Sequence, residues 1–176
     1  WYNNARVCPA LMPQALAWQA SRGDEQATCE PASYNVRPEF KPEETTFRVR
    51  TGNGSQKMFT TYAAHEAGLY QIVTGVTPGQ WLRFAIWVQL WSSDQDYNAY
   101  SALPGFYATS VGIDPYGGDR WDSPNTVWTK PYVSGDRWVL QEVSAQARSS
   151  TVSVWVRGTQ NFPVKHNDSY WDDASL

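Results

Sequence analysis

From Gln80 to Ser92 the chain alternates on a strict two-residue period. Leu82, Phe84, Ile86, Val88 and Leu90 fall on one side, and Trp81, Arg83, Ala85, Trp87, Gln89 and Trp91 on the other. Successive side chains of a strand point to opposite faces, so this stretch commits the chain to a sheet with one buried face. Further alternating stretches run from Thr46 to Arg50, Gln56 to Tyr62, Ala67 to Val76, Tyr107 to Asp114, Asn125 to Lys130, Arg137 to Ala147, Thr151 to Gly158 and Asp168 to Leu176. Turn-forming clusters such as Thr51-Gly52-Asn53-Gly54 and Thr77-Pro78-Gly79 separate them. Nine short strands with no long helical pattern predict an all-β fold, an antiparallel two-sheet β-sandwich. Residues 1 to about 42 read as loop, with a poorly framed helical turn at Leu11–Ala20 between prolines. The 176 residues fit one domain.

The second face of the long strand carries the functional signal. A solvated face is expected to be polar, yet this one places three tryptophans among Arg83 and Gln89. The opposition recurs in Val152–Arg157, where valines take one side and Ser153, Trp155 and Arg157 the other. The apolar C–H face of a pyranose lies flat on an indole, and its hydroxyl rim needs planar donors and acceptors. The candidate carbohydrate-binding residues are therefore Arg83, Trp87, Gln89, Trp91, Trp155 and Arg157. Trp87 and Trp91 stand about 13 Å apart along one strand, which favours a chain ligand. The alternative is that these tryptophans are covered by the N-terminal loop region.

Composition removes several classes. With 14 Lys and Arg against 17 Asp and Glu the net charge is -3, unsuited to phosphate neutralisation, so no nucleic-acid partner is expected. The longest near-apolar run, Trp81 to Trp91, contains Arg83 and glutamine, so no helical membrane span is expected. Two His and two Cys leave little for a zinc site or a Cys–His pair. Glu39, Glu43, Glu44, Glu66 and Glu142 are available as acids, but nothing in their spacing pairs two across a scissile bond, so the chain is expected not to be an enzyme. Cys8 and Cys29, the only cysteines, are expected to bridge in an extracellular setting, with two buried thiols as the alternative. The bridge closes a loop of about 22 residues and contributes roughly 3 kcal/mol in the chain-entropy view. Because the sequence starts on Trp1, a processed product or an excised piece of a larger secreted protein is expected, and the module is expected to be a monomer.

Four stretches carry a family resemblance: VRTGNGSQKMF from Val49, GLYQIVTGVTPGQWLRFAIWVQ from Gly68, VGIDPYGG from Val111 and HNDSYWDDASL from His166. The pattern, spanning roughly Arg37 to Leu176, resembles the jelly-roll carbohydrate-binding modules attached to secreted bacterial glycanases, and the wider galactose-binding-like sandwich group. That resemblance implies a jelly roll that binds a polysaccharide and is covalently linked to a catalytic or surface domain. A β-glucan, mannan or xylan is the ligand type it suggests. It also implies a structural calcium ion at the closing acidic position, Asp172 or Asp173, although the family's Phe-Glu-Gly-type opening strand is not found here. An arginine such as Arg6 or Arg37 is the alternative partner for that carboxylate. Asp94, Asp96 and Asn98 form a weaker oxygen-rich cluster that reads as a polar turn. Two other functions stay open: a structural β-sandwich with no glycan ligand, and a small glycan-active enzyme.

Overall fold

Alternation makes the strands, and the core they share decides how they stack. The computed structural model describes residues 2–3, 38–62, 65–96, 100–101, 107–160 and 164–176. Ten strands are described: β1 (Tyr2–Asn3), β2 (Glu39–Glu43), β3 (Ser55–Thr60), β4 (His65–Thr74), β5 (Trp81–Ser93), β6 (Tyr107–Asp114), β7 (Val127–Trp128), β8 (Val139–Gln146), β9 (Thr151–Gln160) and β10 (His166–Ser175). They form two five-stranded antiparallel sheets, ordered β1-β4-β9-β6-β7 and β2-β3-β10-β5-β8. The all-β sandwich expected from the pattern is the observed fold.

Between the sheets lies one apolar core. Phe84, Ile86, Val88 and Leu90 of β5 meet Val111 and Ile113 of β6 and Val152, Val154 and Val156 of β9. These are the inward sets that the alternation marked. A buried polar chain crosses the same interface. Thr60 pairs with His65 Nδ1 at 2.8 Å, and His65 Nε2 with the Tyr107 hydroxyl at 2.9 Å. Tyr107 then donates to Ser169 Oγ at 2.9 Å, which also accepts from Trp171 Nε1 at 2.9 Å. Gly158 makes room for this chain: a Cβ there would lie 2.6 Å from the Tyr107 hydroxyl oxygen.

One expected strand is a different element. Thr46–Arg48 forms a single 3-10 turn, and the strand in this region lies earlier, at Glu39–Glu43. Pro42 sits inside that strand, which the sheet tolerates because β2 is an edge. The consequence is functional, since the turn carries Arg48 and Arg50 over the outer face of the second sheet. Cys8, Cys29 and the Leu11–Ala20 stretch lie outside the described residues.

Candidate functional site

On β5 the outward set is Trp81, Arg83, Ala85, Trp87, Gln89 and Trp91, opposite the core set. Antiparallel pairing brings β10 alongside, with Asp168 beside Trp91, Tyr170 beside Gln89 and Asp172 beside Trp87. On the other edge β8 places Leu140 beside Trp87 and Ser144 beside Arg83. The expected Arg83, Trp87, Gln89 and Trp91 therefore share one outer face.

Trp155 and Arg157 are elsewhere. They belong to β9 in the other sheet, and their side chains point away from the core on the opposite side of the sandwich. The single platform expected from the sequence is thus divided between two faces, because β5 and β9 fall in different sheets. Trp155 is fully buried, stacked on Tyr70 with ring centroids 4.4 Å apart and tilted against Trp128 at 6.4 Å. Its indole N–H donates to Ser153 Oγ at 2.8 Å. Gly112 lets Trp128 lie against the sheet, since a Cβ there would fall 2.8 Å from the Trp128 ring. Arg157 is ion-paired with Glu66 and lies near the Trp121 and Trp128 rings at 5.7 and 5.8 Å.

A cleft of about 340 Å³ opens at one end of the β5–β10 face. Trp91 and Tyr170 supply rings from the sheet, and Phe47 and Arg48 come from the 3-10 turn. Lys57, Glu43, Thr45 and Asp96 complete the lining. Arg48 is almost wholly buried, its guanidinium 5.0, 4.8 and 4.9 Å from the Phe47, Trp91 and Tyr170 ring centres. Cation–ring packing of this kind helps to hold a buried arginine. Beneath it the Tyr170 hydroxyl donates to Asp168 at 2.9 Å, and Lys57 pairs with the same carboxylate at 2.7 Å. Burial pushes the Asp168 carboxyl above the usual range, with Lys57 opposing it.

Asp96 at the rim accepts from Lys165 at 2.6 Å and bonds His166 at 2.8 Å, and the His166 ring stacks on Trp91 at 4.5 Å. Those two hydrogen bonds hold the Asp96 carboxyl below its ordinary range. Asp96 is thus engaged by side chains of this chain, while Asn98 lies outside the described residues. Gln89 donates to the Asp136 carbonyl at 2.8 Å and is nearly buried. Arg83, in contrast, is exposed and paired with Glu142.

The closing acids Asp172 and Asp173 hold the loop before β3. Asp172 accepts the backbone N–H of Arg50 at 2.9 Å and of Thr51 at 3.3 Å. Asp173 pairs with Arg50 and accepts the Thr51 hydroxyl, and these contacts hold its carboxyl below the usual range. Among the described residues the arginine partner is Arg50; Arg6 and Arg37 lie outside the described residues. Arg50 in turn stacks on Trp87, 3.8 Å from its ring centre. Calcium takes six to eight oxygens, and among the described residues no group of three or more His, Cys, Asp or Glu is placed to hold a metal. The N-terminal donors that the resemblance invokes lie outside the described residues.

Sequence reasoning missed Phe47, Arg48, Arg50, Lys57, Asp168 and Tyr170. The Arg48-Val49-Arg50 alternation reads as a strand, and only the turn geometry shows both arginines folding over tryptophans.

No family model matches the sequence, and no curated protein matches it. Solved structures do resemble the fold. TmCBM61, a carbohydrate-binding module solved with β-1,4-galactotriose, aligns over 78% of this chain and 84% of its own, at 13% identity and a TM-score of 0.52. A structure of carbohydrate-binding modules of the β-sandwich superfamily with promiscuous specificity aligns over 99% of this chain and 63% of its own, at 14% identity and 0.50. The enzymatically active domain of bacteriophage CBA120 tailspike protein 4 aligns over 90% of this chain but 18% of its own, at 8% identity and 0.55. The chain has the jelly-roll sandwich fold of carbohydrate-binding modules.

Proposed function

We propose that this chain is a non-catalytic module that binds a polysaccharide of β-glucan, mannan or xylan type. The ligand lies on the outer face of β5 and β10, and the module directs a covalently linked enzyme or surface domain to it outside the cell. The observation that carries the reading is the cleft, where the open Phe47 ring stands beside Lys57, Glu43, Thr45 and Asp96, on a floor built from Arg48 and the buried Trp91 and Tyr170 rings. Ring faces beside charged and hydroxyl groups match the two chemistries of a sugar. The bound β-1,4-galactotriose of TmCBM61 and the small share of the tailspike domain that this fold occupies support a glycan ligand and a linked domain. The acids of the cleft favour binding over hydrolysis, because Asp168 is buried against Lys57, Asp96 is tied to Lys165 and His166, and Glu43 accepts from the Thr45 N–H and hydroxyl.

Phe47 is the ring to test, since it is 53% exposed on the cleft wall. Phe47→Ala is expected to weaken binding by about 1–2 kcal/mol without lowering the melting temperature. Affinity electrophoresis in hydroxyethyl-cellulose, glucomannan and arabinoxylan gels, followed by calorimetry, measures it. An intact chain retarded by none of these polymers rejects the reading. The bridge between Cys8 and Cys29 is part of the extracellular assignment. Intact mass after alkylation without reductant is expected to show no added label, and two labelled thiols remove it.

A further inference from the structure

We infer that Trp81, with the Arg83–Glu142 pair and Gln146, forms a second sugar-binding position at the far end of the same face, occupied by distal units of the chain held in the cleft. The inference rests on the proposed glycan function and adds a position and a chain-length requirement to it. Trp81 is 71% exposed, whereas every other described tryptophan is half-buried or buried. A tryptophan this open is unusual, because the residue buries most of its surface in typical folds. The core does not use it, since it is the first outward residue of β5.

Its neighbours are polar and held in place. Gln146 is its cross-strand partner on β8, and directly paired side chains stand about 5 Å apart. The Gln146 amide donates to the Gly79 carbonyl at 2.8 Å, which anchors that side chain beside the ring. Arg83 follows on the same face, doubly bonded to Glu142, with exposed Ser144 opposite it. Exposed ion pairs of this kind contribute little to stability, so the fold does not require this one. An open indole flanked by a guanidinium, a carboxylate, an amide and a hydroxyl presents a stacking surface with hydrogen-bonding groups at its edges.

The position is continuous with the cleft and distinct from it. Trp81 and Trp91 lie on one strand and one face, ten residues and about 33 Å apart. Only a chain of several sugar units reaches both ends. Between them the Trp87 ring is roofed by Arg50, so a chain crossing the middle meets a guanidinium instead of an open indole. Short ligands are therefore confined to the cleft, and long ones gain the Trp81 contact.

Calorimetry on the full chain and on Trp81→Ala tests this, using trimers of β-1,4-linked glucose, mannose and xylose beside hydroxyethyl-cellulose, glucomannan and arabinoxylan. Trp81→Ala is expected to bind the preferred polymer about tenfold more weakly, with trimer affinity and melting temperature unchanged. Phe47→Ala weakens both ligand lengths. Polymer affinity that Trp81→Ala leaves unchanged overturns the inference, and so does an equal loss for the trimer, which would make Trp81 part of the primary site. An intact chain that binds neither trimers nor polymers shows a different failure, that of the glycan reading, and takes the inference with it.

Discussion

Trp155→Ala is expected to lower the unfolding free energy by about 3–5 kcal/mol, the cost of removing a large aromatic from a packed interior. Trp155 has no exposed surface, a stacked Tyr70 ring on one side and Trp128 against it. Truncation removes those ring contacts and leaves Ser153 Oγ without the indole N–H that donates to it at 2.8 Å. Neither Tyr70 nor Trp128 can collapse into the gap easily. Tyr70 is fixed by the β4–β9 pairing, and Trp128 already rests against the Gly112 backbone. Urea denaturation of the intact protein and the variant measures the loss, and a change below 1 kcal/mol refutes the structural role. Glycan affinity of the folded variant is expected to match that of the parent, because Trp155 lies on the face opposite the cleft. Trp81→Ala provides the contrast, with no loss of stability.

Acid is expected to destabilise the fold through His65, with a slope near ~1.4 kcal/mol per pH unit between pH 6 and 4. Burial depresses the folded-state pKa of His65 from 6.5 to about 3. The sign follows from proton uptake. In this interval the unfolded chain binds a proton at His65 and the folded chain does not, so stability falls as pH falls. It is fully present above pH 6.5 and is lost progressively toward pH 3, about 3 kcal/mol over the two central units. The neutral ring suits its surroundings, since Nε2–H donates to the Tyr107 oxygen while Nδ1 accepts from Thr60. Asp168 acts in the opposite direction, because its raised pKa makes the folded state take up its proton first as pH falls. Comparison with His65→Gln isolates the histidine, since the variant keeps Asp168 and removes the titration. Parallel stability-versus-pH curves for the two proteins would falsify the assignment.

What was legible in the sequence was whatever a period of two can encode. The inward set of β5, its outward tryptophans, the valines of β9 and the limits of β6 are all consequences of alternation, which is local and needs no partner. The sandwich follows, because several half-apolar strands have to bury one face against another sheet. Alternation cannot say which sheet a strand joins. Trp155 and Trp87 carry the same sequence signature, yet the strand order puts them on opposite faces. One became buried packing and the other the floor beneath an arginine. The Arg48-Val49-Arg50 segment shows the same limit in reverse: its alternation reads as a strand, but Asp172 and Asp173, more than a hundred residues away, bind its backbone and side chains as a loop. Exposure was the other quantity that only the tertiary structure decided. Trp81 and Trp91 are equivalent in the pattern, and the difference between an open ring and one sealed by Arg48 and His166 depends on contacts brought in from the 3-10 turn and β10. A local pattern sets the direction in which a side chain points, whereas what meets it there is set by long-range pairing.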